Sequence, residues 1–426
     1  MNKTEIINNY LYYGYLPPKQ FPAWLNDGLK LSENFDYSVK GAAQVFDKIF
    51  DELLAKYPNK KHIVLLSGGW DSRAILGALL ERIDKSQIET VTFGVPGQLD
   101  YDIGLNVAKS AGVKAHAIDL RTIEFTWDKI LKSVKNSPWT GVPDGLFNSI
   151  ARSSFSKLED IIWIGFLGCL FKLRGLQNNI NLNDWERSKF FAFKERMIFS
   201  VQLYHEEFSP YKILPKINNY NNLTYDDALD LGIRQTKYIA PIVLPLEKWK
   251  NWESKISLEE NGSLVIAPYI DKAFVKYWLT APFEKRKNQN FFLEMLKYKF
   301  PELFALPNKA NHGLPANVNY KLHPKRFKNA LSQRLQKKAP WLGIKYTEKL
   351  NYLDYDEMFR KRADYQKTLN EAISYLQTNN VTPWLNLDTM RTDHLKQKEN
   401  YGNAFCILIG LAANMKINYN ENCIHL

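Results

Sequence analysis

The sequence predicts an α/β chain built on a doubly wound parallel sheet, with a largely helical C-terminal region. Two observations carry the sheet. Short apolar runs rich in β-branched residues recur after residue 60, at His62–Leu66, Ile88–Phe93, Lys114–Leu120 and Asp160–Leu167, and helical patterns separate them. Strand–helix–strand alternation with short connections gives parallel strands covered by helices. The first run also passes through Ser67-Gly68-Gly69-Trp70-Asp71-Ser72 straight into the apolar helical pattern Arg73–Leu80. That turn sits at the carboxyl end of a strand, where open parallel sheets bind ligands.

Each element follows from its spacing. Tyr37 to Tyr57 reads as a helix leading into the sheet. A helix over 102–111 carries Ile103, Val107, Ala108 and Ala111 on one face, and one over 126–136 carries Trp127, Ile130, Leu131 and Val134. From about residue 175 the alternation stops, and long helical patterns broken by Pro- and Asn-containing loops lead to Cys406–Ala413, an apolar run expected as a buried terminal helix. The chain therefore divides into an N-terminal segment and helix (1–60), an α/β core (61–175) and a mainly helical remainder (176–426).

Composition narrows the function classes. With 45% hydrophobic residues, 426 residues supply ample core. The start, Met1-Asn2-Lys3-Thr4-Glu5, carries no apolar leader, and the longest apolar run, Ile161 to Phe171, is too short to span a bilayer. Cys169, Cys406 and Cys423 form no Cys-x-x-Cys pair, which argues against a disulfide framework, a zinc site or paired sulfur transfer. A cytoplasmic protein without membrane contact is expected. The net charge of +12 includes a basic segment, with Lys325, Arg326, Lys328, Arg334, Lys337, Lys338, Lys345 and Lys349 against Glu348 alone. A solvated helix face explains it better than a site for RNA, an acidic peptide or a polysaccharide, because no RNA-binding signature accompanies it. His205-Glu206-Glu207 lacks the following histidine of a zincin, and Cys169 reads as a buried, inert thiol.

The Ser67–Ser72 turn carries the chemistry. Two glycines allow a tight turn and close approach of a bulky anion to main-chain N–H groups. The helix start adds unpaired donors and the positive end of its dipole. Ser67 and Ser72 supply hydroxyls, and Asp71 either caps the helix or holds a magnesium ion beside bound phosphates. The plain alternative is a punctuating turn with Asp71 as its N-cap. The chain contains neither a Walker A lysine motif nor the Gly-x-Gly-x-x-Gly dinucleotide fingerprint.

Leu66 to Arg73 resembles the pyrophosphate loop of ATP pyrophosphatases, and most of the chain resembles the synthetase domain of the asparagine synthetase family. That family includes β-lactam synthetases and lasso-peptide cyclases. Asn9-Tyr10-Leu11-Tyr12-Tyr13-Gly14-Tyr15-Leu16-Pro17 is similar to its interdomain segment. Thr92-Phe93-Gly94 with Asp100-Tyr101-Asp102 is similar to its second strand and the acidic start of the next helix. Ala267-Pro268-Tyr269-Ile270-Asp271 resembles its Pro-Phe-Leu-Asp motif, followed by a Lys/Arg-rich turn, a helix and Leu306-Pro307-Asn308-Lys309-Ala310.

The resemblance implies an enzyme that activates a small-molecule or peptide carboxylate with ATP and Mg²⁺, releases AMP and pyrophosphate, and joins the acyl group to an amine. Leu66, Ser67, Gly68, Gly69, Asp71 and Ser72 would hold the phosphates, and Thr92, Phe93 and Gly94 the adenine. Gly165 and Gly168 would form the second loop, and Asp71 would carry the metal. Residue 2 is Asn where the family's glutaminase nucleophile would stand, so the amine is expected as ammonia, a partner's product or a group on the substrate. In Gly165-Phe166-Leu167-Gly168-Cys169-Leu170 the family's acidic residues are missing. Its catalytic lysine aligns with Gln289, one turn from Lys285, Arg286 and Lys287, of which Arg286 and Lys287 are the expected cations. These departures point to specialised natural-product or polysaccharide synthesis. The competing readings are a tRNA-modifying enzyme and a non-catalytic relative that binds nucleotide or a partner.

Overall fold

The computed structural model describes residues 3–13, 35–136, 160–165, 264–282, 289–319, 323–339 and 353–419, with single positions at 142, 146–147, 150–151, 154–155, 285 and 342. In chain order the elements are α1 (Lys3–Tyr13), α2 (Val39–Ala55), β1 (His62–Leu65), α3 (Asp71–Leu80), β2 (Ile88–Gly94), α4 (Leu99–Ala111), β3 (Lys114–Asp119) and α5 (Trp127–Asn136). Then come β4 (Ile161–Trp163), β5 (Leu264–Ile266), α6 (Lys272–Thr280), α7 (Asn290–Lys299), α8 (Pro301–Ala305), β6 (Pro307–Asn308) and β7 (Leu314–Pro315). The rest are α9 (Pro324–Lys338), α10 (Tyr355–Lys361), α11 (Ala363–Thr378), α12 (Leu387–Leu395) and α13 (Gly402–Asn418).

Five parallel strands form one sheet in the order β3-β2-β1-β4-β5. The order reverses between β1 and β4, as in doubly wound α/β folds, and creates a crevice at their carboxyl ends. All four residues of the central strand β1 are buried, which its His-Ile-Val-Leu composition permits only with both faces covered. The edge strand β3, by contrast, leaves Lys114 and Ala115 exposed. β6 and β7 form a small antiparallel pair outside this sheet.

Two apolar clusters hold the chain together. The first surrounds the sheet and includes residues of α2, α3, α4, α6, α7 and α8. Ser38 starts α2, its hydroxyl accepting the Gly41 N–H at 3.0 Å. The helix buries Ala42, Ala43, Phe46, Ile49, Phe50 and Leu53 at helical spacing, and Phe50 stacks on Trp163 of β4 at 5.5 Å. Each phenylalanine contributes roughly 2–3 kcal/mol through burial. The second cluster joins α1, α5 and α10 to α13, and Phe93 and Ile118 touch both clusters. Its centre is α13, where Ala404 to Ala413 are buried, Cys406 included, in no disulfide; Cys169 and Cys423 lie outside the described residues. Arg326, Lys328 and Arg334 of α9 are exposed, as are Phe327 and Leu331. Among the described residues no helix is long and apolar enough to cross a membrane.

His62 makes the core sensitive to acid. Its ring is buried, its Nδ1 accepts the Trp163 Nε1–H at 2.9 Å, and burial lowers its pKa to about 4. The unfolded chain, with an ordinary histidine near 6.5, therefore takes up the proton first. Stability contributed by the neutral ring is complete above about pH 7 and falls by about 3 kcal/mol between pH 6.5 and 4. Thermal melts across that range should show proton uptake on unfolding at pH 5 that drops by about one proton in His62→Gln. An unchanged slope in the variant would exclude His62 as the source.

Candidate functional site

The Ser67–Ser72 turn leaves β1 at the reversal point and is cross-braced internally. The Ser67 N–H donates to the Ser72 hydroxyl at 3.1 Å, the two serine hydroxyls lie 3.2 Å apart, and the Gly69 N–H donates to Ser67 Oγ at 3.3 Å. Helix α3 starts at Asp71, with Trp70 in the N-cap position and no side-chain cap. Asp71 is thus in the first helical turn and is not the N-cap, because Trp70 already adopts helical backbone angles. Helix starts without a side-chain cap are places where an anion or water commonly binds. The buried Tyr269 hydroxyl donates to the Asp71 carbonyl at 2.7 Å and so ties the turn to the segment before α6.

Three of the described glycines of the expected site, Gly68, Gly69 and Gly165, can be compared by what a side chain there would meet. A Cβ on Gly68 would lie 2.9 Å from the Leu99 carbonyl oxygen, and one on Gly165 would lie 2.9 Å from the Ser72 nitrogen. These two are required because main chains from separate elements meet there. A Cβ on Gly69 would meet only Ser67 Oγ, at 3.4 Å. Among the described residues no other atom beyond the chain neighbours lies within 4 Å of that Cβ, and the Gly69 backbone does not occupy the left-handed region.

Packing also delivers groups that were not read as site residues. Asp100, buried in the first turn of α4, accepts the Gly68 N–H through Oδ1 at 3.1 Å and forms an ion pair with Lys309 through Oδ2. The Lys309 N–H donates to the Gly68 carbonyl at 2.8 Å. Gly68 therefore spends both main-chain groups on the fold, while a lysine ammonium is held one carboxylate away from the turn. Arg73, fully buried in the first turn of α3, donates to the carbonyls of Leu303 (3.0 Å), Leu306 (3.2 Å) and Pro307 (2.6 Å). Burial lowers its pKa to about 10, which still leaves it charged at neutral pH.

The remaining expected residues fall into three groups. The Leu66 carbonyl accepts the Thr92 hydroxyl at 2.9 Å, so the Thr92 side chain braces β1 against β2. Strand β2 runs past its last β1 partner, Val91, and there Thr92, Phe93 and Gly94 pair with β3, with Thr92 fully buried and Phe93 packed against both apolar clusters. Asp271 stands apart from the turn: it caps α6 by accepting the Ala273 N–H at 2.8 Å, and burial raises its pKa. Gly168, Arg286 and Lys287 lie outside the described residues. Lys285 is exposed and lies 4.9 Å from the ring centre of Phe291. Gln289 is buried at the start of α7 with φ of 61°.

Among the described residues no group of three or more His, Cys, Asp or Glu is arranged so that it could hold a metal ion. Magnesium held together with phosphates asks for only one or two carboxylates, and half-buried Asp71 at the turn meets that requirement. Among the described residues the turn brings two serine hydroxyls and a helix start together at Gly69, the kinds of donor a phosphate takes. No protein-family model matches the chain, and no curated protein shows significant similarity to it.

Proposed function

We propose that this chain is an ATP-dependent, amide-forming enzyme of the asparagine synthetase type, with a pyrophosphate-loop fold and the chemistry that implies. It would condense a carboxylate with ammonia or an amine and release AMP and pyrophosphate. The observation that supports this reading best is the Ser67–Ser72 turn. At the sheet's reversal point it combines paired serine hydroxyls, an uncapped helix start and Lys309.

In this reading Ser67, Gly69 and Ser72 bind the phosphates, and Asp71 holds magnesium, which neutralises phosphate charge. Adenine lies along Thr92–Gly94 at the crevice. Lys309 takes the role expected of Arg286 or Lys287, stabilising charge that develops as the α–β bond breaks. Orientation and electrostatics carry most of such a reaction. A cytoplasmic setting and specialised synthesis remain part of the proposal.

The test is ATP turnover resolved by product, run over a panel of carboxylates and amines and over tRNA. Carboxylate-dependent AMP and pyrophosphate, lost by about a hundredfold or more in Asp71→Asn at unchanged melting temperature, is the expected result. ADP and phosphate as products, or tRNA-dependent AMP release without any carboxylate, would contradict it.

A further inference from the structure

Arg73 presents a physical problem. A guanidinium buried to this degree normally has a carboxylate beside it, because moving an unpaired charge out of water costs several kcal/mol. Among the described residues its hydrogen bonds go to three carbonyls, with the Phe304 ring 5.7 Å away. Those carbonyls belong to α8, the residue that ends it and the first residue of β6, and the end of a helix carries partial negative charge. The fork of Arg73 binds that segment rigidly at residues 303, 306 and 307. Lys309 follows two residues later.

Asp100 holds the other end of the same residue. One carboxylate oxygen is anchored on the Gly68 N–H, and the second meets the Lys309 ammonium. The lysine main chain is fixed by Gly68 and, upstream, by Arg73, while its flexible stem is fixed by Asp100. A lysine left to itself samples many rotamers and arrives at a bound phosphate only at an entropic cost. Here it is fastened next to the turn before any ligand binds.

We propose that Asp100 and Arg73 are positioning residues that present Lys309 to a phosphate bound on the Ser67–Ser72 turn; this rests on the ATP-binding reading above. A purely architectural role would hold the 303–315 segment in place without reference to the lysine head group. The two roles separate in a double-mutant cycle.

The probe is α,β-methylene-ATP with magnesium, titrated into the full chain, with thermal melts confirming that each variant is folded. Asp100→Asn keeps an acceptor for the Gly68 N–H and removes the charge. In the Lys309→Met background it should tighten binding, because one anion near the phosphates is gone. In the Lys309 chain the lost tether should cancel or reverse that gain, a coupling of about fivefold or more. Arg73→Lys, which replaces a three-pronged fork with one ammonium, should weaken binding about fivefold with Lys309 present and leave Lys309→Met unchanged.

Equal effects of Asp100→Asn in both backgrounds, or of Arg73→Lys in both, would overturn the positioning role while leaving the ATP reading intact. A parent chain that fails to bind the analogue at all would overturn the reading and this inference together.

Discussion

Gly69→Ala is expected to fold as well as the parent chain and to lose nucleotide binding, whereas Gly68→Ala is expected to be destabilised in the absence of any ligand. The two glycines are neighbours, so the contrast isolates what each one faces. A methyl group at Gly68 would be driven against the main-chain oxygen of Leu99 at 2.9 Å, next to the Asp100 backbone. Neither group moves without disturbing the start of α4, and overpacking of this kind costs about 1–3 kcal/mol. The displaced Gly68 would also strain its bonds to Asp100 and Lys309. At Gly69 the methyl meets a serine hydroxyl at ordinary contact distance, and the backbone is one that alanine accepts. Reduced freedom in the unfolded chain then offers up to about 1 kcal/mol of added stability. The same methyl occupies the space over the turn, so the affinity for ATP should fall by about tenfold or more, equivalent to about 1.4 kcal/mol. Paired thermal melts and ATP titrations of the two variants check this directly.

Lys309→Met should abolish most turnover while leaving a folded protein. A fixed cation near developing phosphate charge typically accounts for about 10²–10³ in rate. Stability should fall by only about 1–2 kcal/mol, because the lysine side chain is 38% exposed and Asp100 keeps its bond to the Gly68 N–H. Lys309→Arg should recover part of the rate, since the charge returns with a different reach. A Lys309→Met enzyme with undiminished carboxylate-dependent AMP formation would return the cation's role to the Arg286–Lys287 turn.

The legible parts of this chain were those governed by contiguous residues. The expected strands at 62–66, 88–93 and 114–120 end within one residue of β1, β2 and β3, because apolar, β-branched runs between turns leave little choice. Helix α4 begins three residues before the expected 102, at Leu99, and it does place Ile103, Val107 and Ala108 in the core. Strand β5, only Leu264–Ile266, gives no periodicity to read, and its pairing with β4 is decided by the sheet. The turn itself was visible as Ser-Gly-Gly-Trp-Asp-Ser. Its partners were not, although Asp100 and Lys309 both lie in segments the resemblance had marked. Nothing local in Arg73 distinguishes a clamp on residues 303–307 from an ordinary helix residue, since the link spans 230 positions or more. Such sites need the fold before they can be seen.

The most direct test of the account is exchange of labelled pyrophosphate into ATP, measured for the parent chain and Gly69→Ala across a carboxylate panel. The account predicts exchange that requires one class of carboxylate and magnesium, and that falls about tenfold or more in Gly69→Ala at subsaturating ATP while the variant melts no lower than the parent. Exchange that persists undiminished in Gly69→Ala would show that the Ser67–Ser72 turn does not hold the phosphates.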